Sequence, residues 1–432
     1  MEQLYIKPVR KLNIDHVTVA VPGSKSITNR ALLLATLAKG ESKLNGTLFS
    51  DDSRHFLKCV QDLGFETFVD EAASTVHVTG LGGSTPKDSA SVYVGSAGTA
   101  ARFLAAFLGA SKGTFMMDAS EQMRKRPMKP LLEALENIGA EITCTEESDH
   151  FPMEIKGNGI QNFDVTVNID KSSQFLSALL IAAPLATEDM HIHIEGTHGM
   201  AYIEMTVKMM QQYGVNVYQE SATEFVIPKG QTYYAKDYQI EPDASAAAYF
   251  WAMAAVLGIS VTVPHLHFDS LQGDVAFARI LEQMGCQVCD SEEGITVTGP
   301  KNGKLKGITV DMHSCSDQAI TLAAIAPFAD GKVTITGISH IRLQESDRIA
   351  AILTNLSRMG IEAKEEADGI VIYPGDVQPA EIETYDDHRL AMGFAVTGLK
   401  AEGITILDPM CCRKTFENYF EVLEKVREQL WQ

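Results

Sequence analysis

Basic residues are scarce in this 432-residue chain: 36 Lys and Arg stand against 56 Asp and Glu, a formal net charge of −20. A surface of that sign repels nucleic acid and anionic lipid, so neither is an expected partner. Cysteine is thin as well, with seven residues spread over the whole length, which argues against a disulfide framework and for a reducing compartment. Cys286-x-x-Cys289 and Cys411-Cys412 are the close spacings. Neither has a second ligand pair at zinc-site distance, so no metal is expected. His191/His193 and His265/His267 alternate in strand-like runs and read as solvated sheet faces. No apolar run approaches the ~20 residues of a membrane span. The opening Met1–Ile6 lacks the basic-then-apolar pattern of a secretory signal, and a cytoplasmic protein is expected. The remainder, 45% hydrophobic and 21% charged, is ordinary globular composition, and the length predicts two domains.

Against this acidic background one stretch reads as an anion cradle: Pro22-Gly23-Ser24-Lys25-Ser26, followed by Thr28-Asn29-Arg30 and Ala31-Leu32-Leu33-Leu34. Pro22 and Gly23 break an apolar strand (Val17, Val19, Val21), and Ser24 is placed to cap a helix that runs to Lys39-Gly40. The free N–H groups of its first turn, the Lys25 ammonium, the Ser26 hydroxyl and Arg30 one turn on can converge on one phosphate or carboxylate. The Walker spacing is missing.

An internal repeat sets the expected architecture. Amphipathic helices end at Gly64, Gly139, Gly214, Gly285 and Gly360, glycines that fall 71 to 75 residues apart. Phe416 to Leu430 reads as a sixth helix without the closing glycine. A second, Ala-rich helix recurs in register, with expected starts at Ser24, Ser96, Ser172, Asp243, Ser316 and Asp386. The chain therefore reads as six copies of one α/β unit, three plus three. The polar stretch Tyr233 to Asp243 is the expected crossing between halves, and the opening Met1 to Asp15 segment is expected to pair back into the second half.

Charged turn residues gather at or near these helix starts: Gly95-Ser96-Ala97-Gly98-Thr99-Ala100-Ala101-Arg102, the basic loop Arg124-Lys125-Arg126-Pro127, Arg342 to Arg348, Tyr385-Asp386-Asp387-His388-Arg389, and Arg413-Lys414. A single charge run is more often a solvated face. Recurrence at the helix starts favours a site.

With these motifs in order, together with Ser172-Ser173-Gln174-Phe175-Leu176, Asp243-Ala244-Ser245 and Arg413-Lys414-Thr415-Phe416, the chain resembles the 5-enolpyruvylshikimate-3-phosphate synthase family over nearly its full length. The resemblance implies an α/β, two-domain enolpyruvyl transferase fold with six βαβαββ repeats, three per domain. Residues 16–238 would form the N-terminal domain, and 1–15 plus 239–432 the C-terminal one, with the active site in the cleft between them. It implies transfer of the enolpyruvyl group of phosphoenolpyruvate to the hydroxyl of shikimate 3-phosphate, with release of phosphate and without metal or cofactor. It also implies that glyphosate competes at the phosphoenolpyruvate site. The implied partners are these two small molecules, the chain being a monomer.

By position, the resemblance assigns Lys25, Ser26, Arg30, Ser172, Ser173, Gln174, Asp317, His340 and Gln344 to shikimate phosphate. Lys25, Gly98, Arg126, Gln174, Arg348, Arg389 and Lys414 go to phosphoenolpyruvate. Asp317 matches the proton acceptor for the attacking hydroxyl, Glu345 the acid that protonates the enol methylene, and Lys25 joins them in the catalytic set. The chain departs from the family pattern at Ser96 (Asn), Phe103 (Pro), Gly199 (Ser), His340 (Asn) and Gln344 (Lys). Those departures concern how the phosphate group is held. The related transferase acting on UDP-N-acetylglucosamine is the nearest alternative, disfavoured by the Ser-Lys-Ser opening and by the lack of a cysteine in Arg124–Pro127. A non-catalytic anion-binding repeat protein would need neither Asp317 nor Glu345.

Overall fold

The computed structural model describes residues 3–197 and 199–431. It divides into two compact units, one of Gly23–Ile240 and one of Met1–Pro22 with Glu241–Gln432. The chain thus passes between units at Pro22–Gly23 and at Ile240–Glu241, so residues 16–22 lie with the second half of the sequence.

Each unit is built from one repeated sheet. Among the described residues, five four-stranded sheets share a pattern, seen in Ser89–Tyr93, Lys112–Asp118, Met153–Asn158 and Glu141–Cys144: a parallel pair joined to an antiparallel hairpin. The strand preceding the first cradle, His16–Thr18, pairs in parallel with Ser260–Pro264 of its own unit, while Asp237–Gln239 takes the corresponding place beside Lys39–Asn45. The sixth sheet has three strands, and its antiparallel edge, Gln3–Tyr5 on Ile404–Leu407, comes from the opening segment. Met1 and Glu2, the start of that expected strand, lie outside the described residues.

The repeat glycines do what their spacing implies. Gly64, Gly139, Gly214, Gly285 and Gly360 all have positive φ, between 72° and 114°, a backbone state that a side chain would oppose. The second helices form the cores. Lys25–Leu37 is buried from Ile27 onward, Gly98–Ala110 is buried throughout, and Ala244–Leu257 is buried except at Ser245. Trp251, Phe103, Phe107 and Phe115 are fully buried. Each such apolar side chain contributes about 1.5–3 kcal/mol by leaving water.

Several expected starts shift. Ser24 and Asp243 cap as anticipated, accepting from Ile27 N (3.4 Å) and Ala246 N (2.9 Å). Ser96 does not cap: Ala97 occupies the N-cap, and the Ser96 hydroxyl bonds that of Ser120 at 2.7 Å. The Ser172 hydroxyl accepts from Gln174 N (3.3 Å), the helix beginning at Gln174. Ser316 lies within a 3-10 turn, His313–Gln318, that precedes the helix Ala319–Ile325. At the sixth start the cap is Asp387, because Tyr385 and Asp386 both take positive φ (51° and 56°) and carry the turn one residue further. The last helix is Tyr419–Trp431, so Phe416 precedes it. His191 and His193 lie on the strand Met190–Glu195, paired with Glu224 and Asp164, but His265 and His267 follow the strand Ser260–Pro264.

Candidate active site

In the Gly23–Ile240 unit the cradle is shaped by close backbone packing. A β-carbon on Gly23 would fall 1.9 Å from the carbonyl oxygen of Gly46, so only glycine fits there. The turn releases Lys25 at the first position of its helix, with its ammonium 3.4 Å from Asp52 and its side chain 17% exposed. Ser26 is half-buried beside it.

Arg30, the third member of the expected cradle, is fixed by the folded chain. It is 1% exposed and donates to Thr206 Oγ1 (2.7 Å), the Ser26 carbonyl (3.1 Å), the Tyr202 carbonyl (3.2 Å) and Ser177 Oγ (3.4 Å). Its guanidinium lies 5.2 Å from the ring centre of Phe103, so the phenylalanine packs on this cation. Burial brings its pKa down to about 10, still high enough to keep the charge at neutral pH.

The second helix start of this unit surrounds Gly98 with guanidinium groups. Arg102 donates to Gln174 Oε1 (3.2 Å), to the Pro127 carbonyl (2.9 Å) and to the Gly98 carbonyl (3.3 Å). A β-carbon at Gly98 would stand 2.6 Å from Arg102 Nη1 and 2.8 Å from Arg126 Nη1. Arg126 Nε is buried and has no hydrogen-bond partner among the described residues. Arg124, in the same basic loop, is neutralised by Asp118 and Glu146 at 2.8 Å each. Ser173 opens the third start, and a β-carbon at Gly199 would press to 2.6 Å from its hydroxyl, which accounts for glycine at that departure.

In the other unit the acids and bases are drawn into one network centred on Arg348, which is 1% exposed. Its Nη1 donates to Asp317 Oδ1 at 2.9 Å and its Nη2 to Glu345 Oε2 at 2.6 Å. Nε and Nη2 reach the two oxygens of fully buried Asp387 at 2.8 and 3.3 Å. Burial opposes the Arg348 charge, but Asp387, Glu345 and Asp317 outweigh it and hold its pKa above the ordinary arginine value. Arg389 donates to the other oxygen of Asp317 at 2.7 Å. Lys414 bonds the Asp386 carboxylate at 2.7 Å. His340 meets Ser316 Oγ at 2.8 Å, with the His313 ring centre 5.6 Å away. Burial, then His313, lowers its pKa below 6.5 in spite of Asp317. Gln344 is half-buried just before Glu345.

Sequence reasoning assigned no role to Asp387, Asp52, Arg102 or Asp274. Asp387 and Arg102 lie inside motifs already singled out, and the need of buried arginines for acceptors was the available signal. Asp52 sits in the acidic first turn of the helix Asp51–Asp62.

Repeated α/β units whose helix starts hold buried arginines and carboxylates define an enolpyruvyl-transferase fold. The EPSP synthase (3-phosphoshikimate 1-carboxyvinyltransferase) family model matches residues 12–423. Among curated relatives, a 3-phosphoshikimate 1-carboxyvinyltransferase of Nostoc punctiforme is 46% identical over 413 residues, 95% of this chain and 96% of that protein. One of Photobacterium profundum is 41% identical over 432 residues, covering 99% of this chain and all of its own. A solved EPSP synthase from Acinetobacter baumannii superimposes with a TM-score of 0.81 at 27% identity, covering 98% of each chain. The chain belongs to the EPSP synthase family.

Proposed function

We propose that this chain transfers the enolpyruvyl group of phosphoenolpyruvate to the 5-hydroxyl of shikimate 3-phosphate, releasing inorganic phosphate, as a cytoplasmic monomer. The observation that carries the reading is the sharing of one guanidinium by two carboxylates. Arg348 holds Asp317 at 2.9 Å and Glu345 at 2.6 Å. Addition across the enol double bond needs a proton donor at the methylene carbon and an acceptor at the attacking hydroxyl, close together. Glu345, protonated in the substrate-bound state once the anion draws Arg348 from it, gives that proton to the methylene, making a methyl group, while Asp317 takes the hydroxyl proton and the oxygen bonds the adjacent carbon. Glu345 then takes back a methyl proton while phosphate departs with the proton held by Asp317, which restores the double bond and both carboxylates.

The bases fit the charge of the substrates. Arg348, Arg389 and Lys414 in one unit, and Lys25, Gln174 and Arg126 in the other, supply the donors that a phosphate and a carboxylate require. Ser26, Arg30, Ser172, Ser173, Gln174, His340 and Gln344 are the proposed partners of shikimate 3-phosphate. The two arginines bond Asp317 through both its oxygens, at 2.9 and 2.7 Å. An arriving anion competes for those donors and frees the base.

The test is phosphate release on mixing the purified protein with both substrates. Release that requires shikimate 3-phosphate is expected. Release with UDP-N-acetylglucosamine in its place, or none with either, would contradict the reading.

A further inference from the structure

Asp274 is a carboxylate that the reaction above does not use, yet it is 6% exposed and lies in the 3-10 turn Gly273–Val275 next to the Asp317 segment. Its Oδ1 accepts from Gln318 Nε2 at 3.2 Å, and its Oδ2 from Ser245 Oγ at 3.2 Å. Gln318 is the residue after Asp317, fully buried, with its own carbonyl oxygen taken by Thr321 Oγ1 at 3.2 Å. Ser245 is in the first turn of the helix Ala244–Leu257. Two residues before Asp274, Gln272 fixes the same helix start, accepting from Ala244 N at 2.9 Å and donating to the Pro242 carbonyl at 2.8 Å.

The charged and titratable groups that face Asp274 come from three neighbouring elements. They are Asp317 and Cys315 from the 3-10 turn, Arg389 from the helix His388–Lys400, and Asp243 at the cap of Ala244–Leu257. Burial first, and then the Asp317 anion, raise the Asp274 pKa to about 6, against Arg389 and the Gln318 hydrogen bond. Coulombic coupling is mutual: an anion at Asp274 makes Asp317 more basic by the same interaction. Asp317 needs that support, since two guanidinium groups bonded to its two oxygens weaken it as a proton acceptor. Hydrogen bonding does not require the charge, because an asparagine can accept from Gln318 and donate to Ser245.

We propose that Asp274 is a positioning residue for Asp317: it ties the Asp317 turn to the neighbouring helix start, and its negative charge offsets Arg348 and Arg389 so that Asp317 can accept the substrate proton. The proposal rests on the enolpyruvyl-transfer reading above.

The test compares the pH dependence of kcat for phosphate release in the parent, in Asp274→Asn and in Ser245→Ala, each with its melting temperature. For Asp274→Asn the acidic limb should move down by about one pH unit, and the plateau kcat should fall roughly tenfold as the base weakens, with the melting temperature held or raised. Ser245→Ala keeps the charge but removes a donor to it, so Asp274 takes its proton sooner and the limb should move up. That variant keeps the question answerable if Asp274→Asn does not fold. Parent turnover with an unmoved limb in every folded variant would overturn the positioning role alone. A parent that releases no phosphate would overturn the transfer reading, and the proposal with it.

Discussion

Arg348 and Asp387 form a buried ion pair, Nε to Oδ2 at 2.8 Å, with 1% and 0% of their side chains exposed. Asp387 also caps the helix that carries Arg389, accepting from Arg389 N at 3.0 Å. One carboxylate therefore fixes both the arginine that holds Asp317 and Glu345 and the start of the helix bearing the second arginine on Asp317.

Removing that carboxylate leaves a buried charge short of its closest partner, a loss that typically costs about 3–5 kcal/mol. Asp387→Ala should lower the denaturant midpoint accordingly. Lys7→Ala, which breaks a half-exposed pair with Glu424, should change stability by about 1 kcal/mol or less. Equal losses in the two variants would show that the Arg348 network does not depend on Asp387.

Gly98→Ala should raise KM for phosphoenolpyruvate about tenfold or more, because its β-carbon would displace both Arg102 and Arg126, and a charge-assisted bond contributes about 1.5–3 kcal/mol. The steady-state KM for shikimate 3-phosphate should move much less. An unchanged KM for phosphoenolpyruvate would place this helix start outside the site.

His340 gives a pH-dependent prediction whose sign follows from its lowered pKa. Between its folded pKa and 6.5 the unfolded chain binds a proton that the native chain does not, so native stability declines as pH falls through that window. His340→Asn removes this loss. Its melting temperature, relative to the parent, should therefore improve as pH drops from about 8 to about 5. A constant difference over that range would mean that His340 titrates alike in both states.

At Gln344 the proposed shikimate 3-phosphate contact is a neutral amide. Gln344→Lys should lower KM for shikimate 3-phosphate by about tenfold or less, in keeping with a net gain near 1 kcal/mol. An unchanged or higher KM at every pH would mean that this side chain does not face the phosphate.

The repeat was legible because its signals are local. A glycine after an amphipathic run specifies a positive-φ helix end, and such ends recur at Gly64, Gly139, Gly214, Gly285 and Gly360. Helix starts were legible to within two residues, the largest shift being from Ser316 to Gln318. Ser96 misled because a hydroxyl can bond another side chain, here Ser120, instead of the backbone. Asp386 misled because two positive-φ residues moved the cap to Asp387. Long-range relations were not legible. Nothing near Arg30 indicates that Thr206 and Ser177 receive its guanidinium. Asp274 belongs to no motif and gains its place from side chains brought together by folding. His16–Thr18 reads as the strand that feeds the first helix, yet it pairs with Ser260–Pro264, since strand pairing is a tertiary choice.

Solvent isotope incorporation tests most directly the central claim that the two carboxylates on Arg348 carry out addition and elimination. When Glu345 protonates the methylene, that carbon becomes a methyl group with one hydrogen from solvent, and elimination can remove any of its hydrogens. In deuterium oxide, with unlabelled phosphoenolpyruvate and shikimate 3-phosphate, the enolpyruvyl product should carry deuterium at its vinyl carbon by NMR. Incorporation and turnover should fall together by roughly 10²–10⁴-fold in Glu345→Gln. A product formed at the parent rate with no vinyl deuterium would contradict the account.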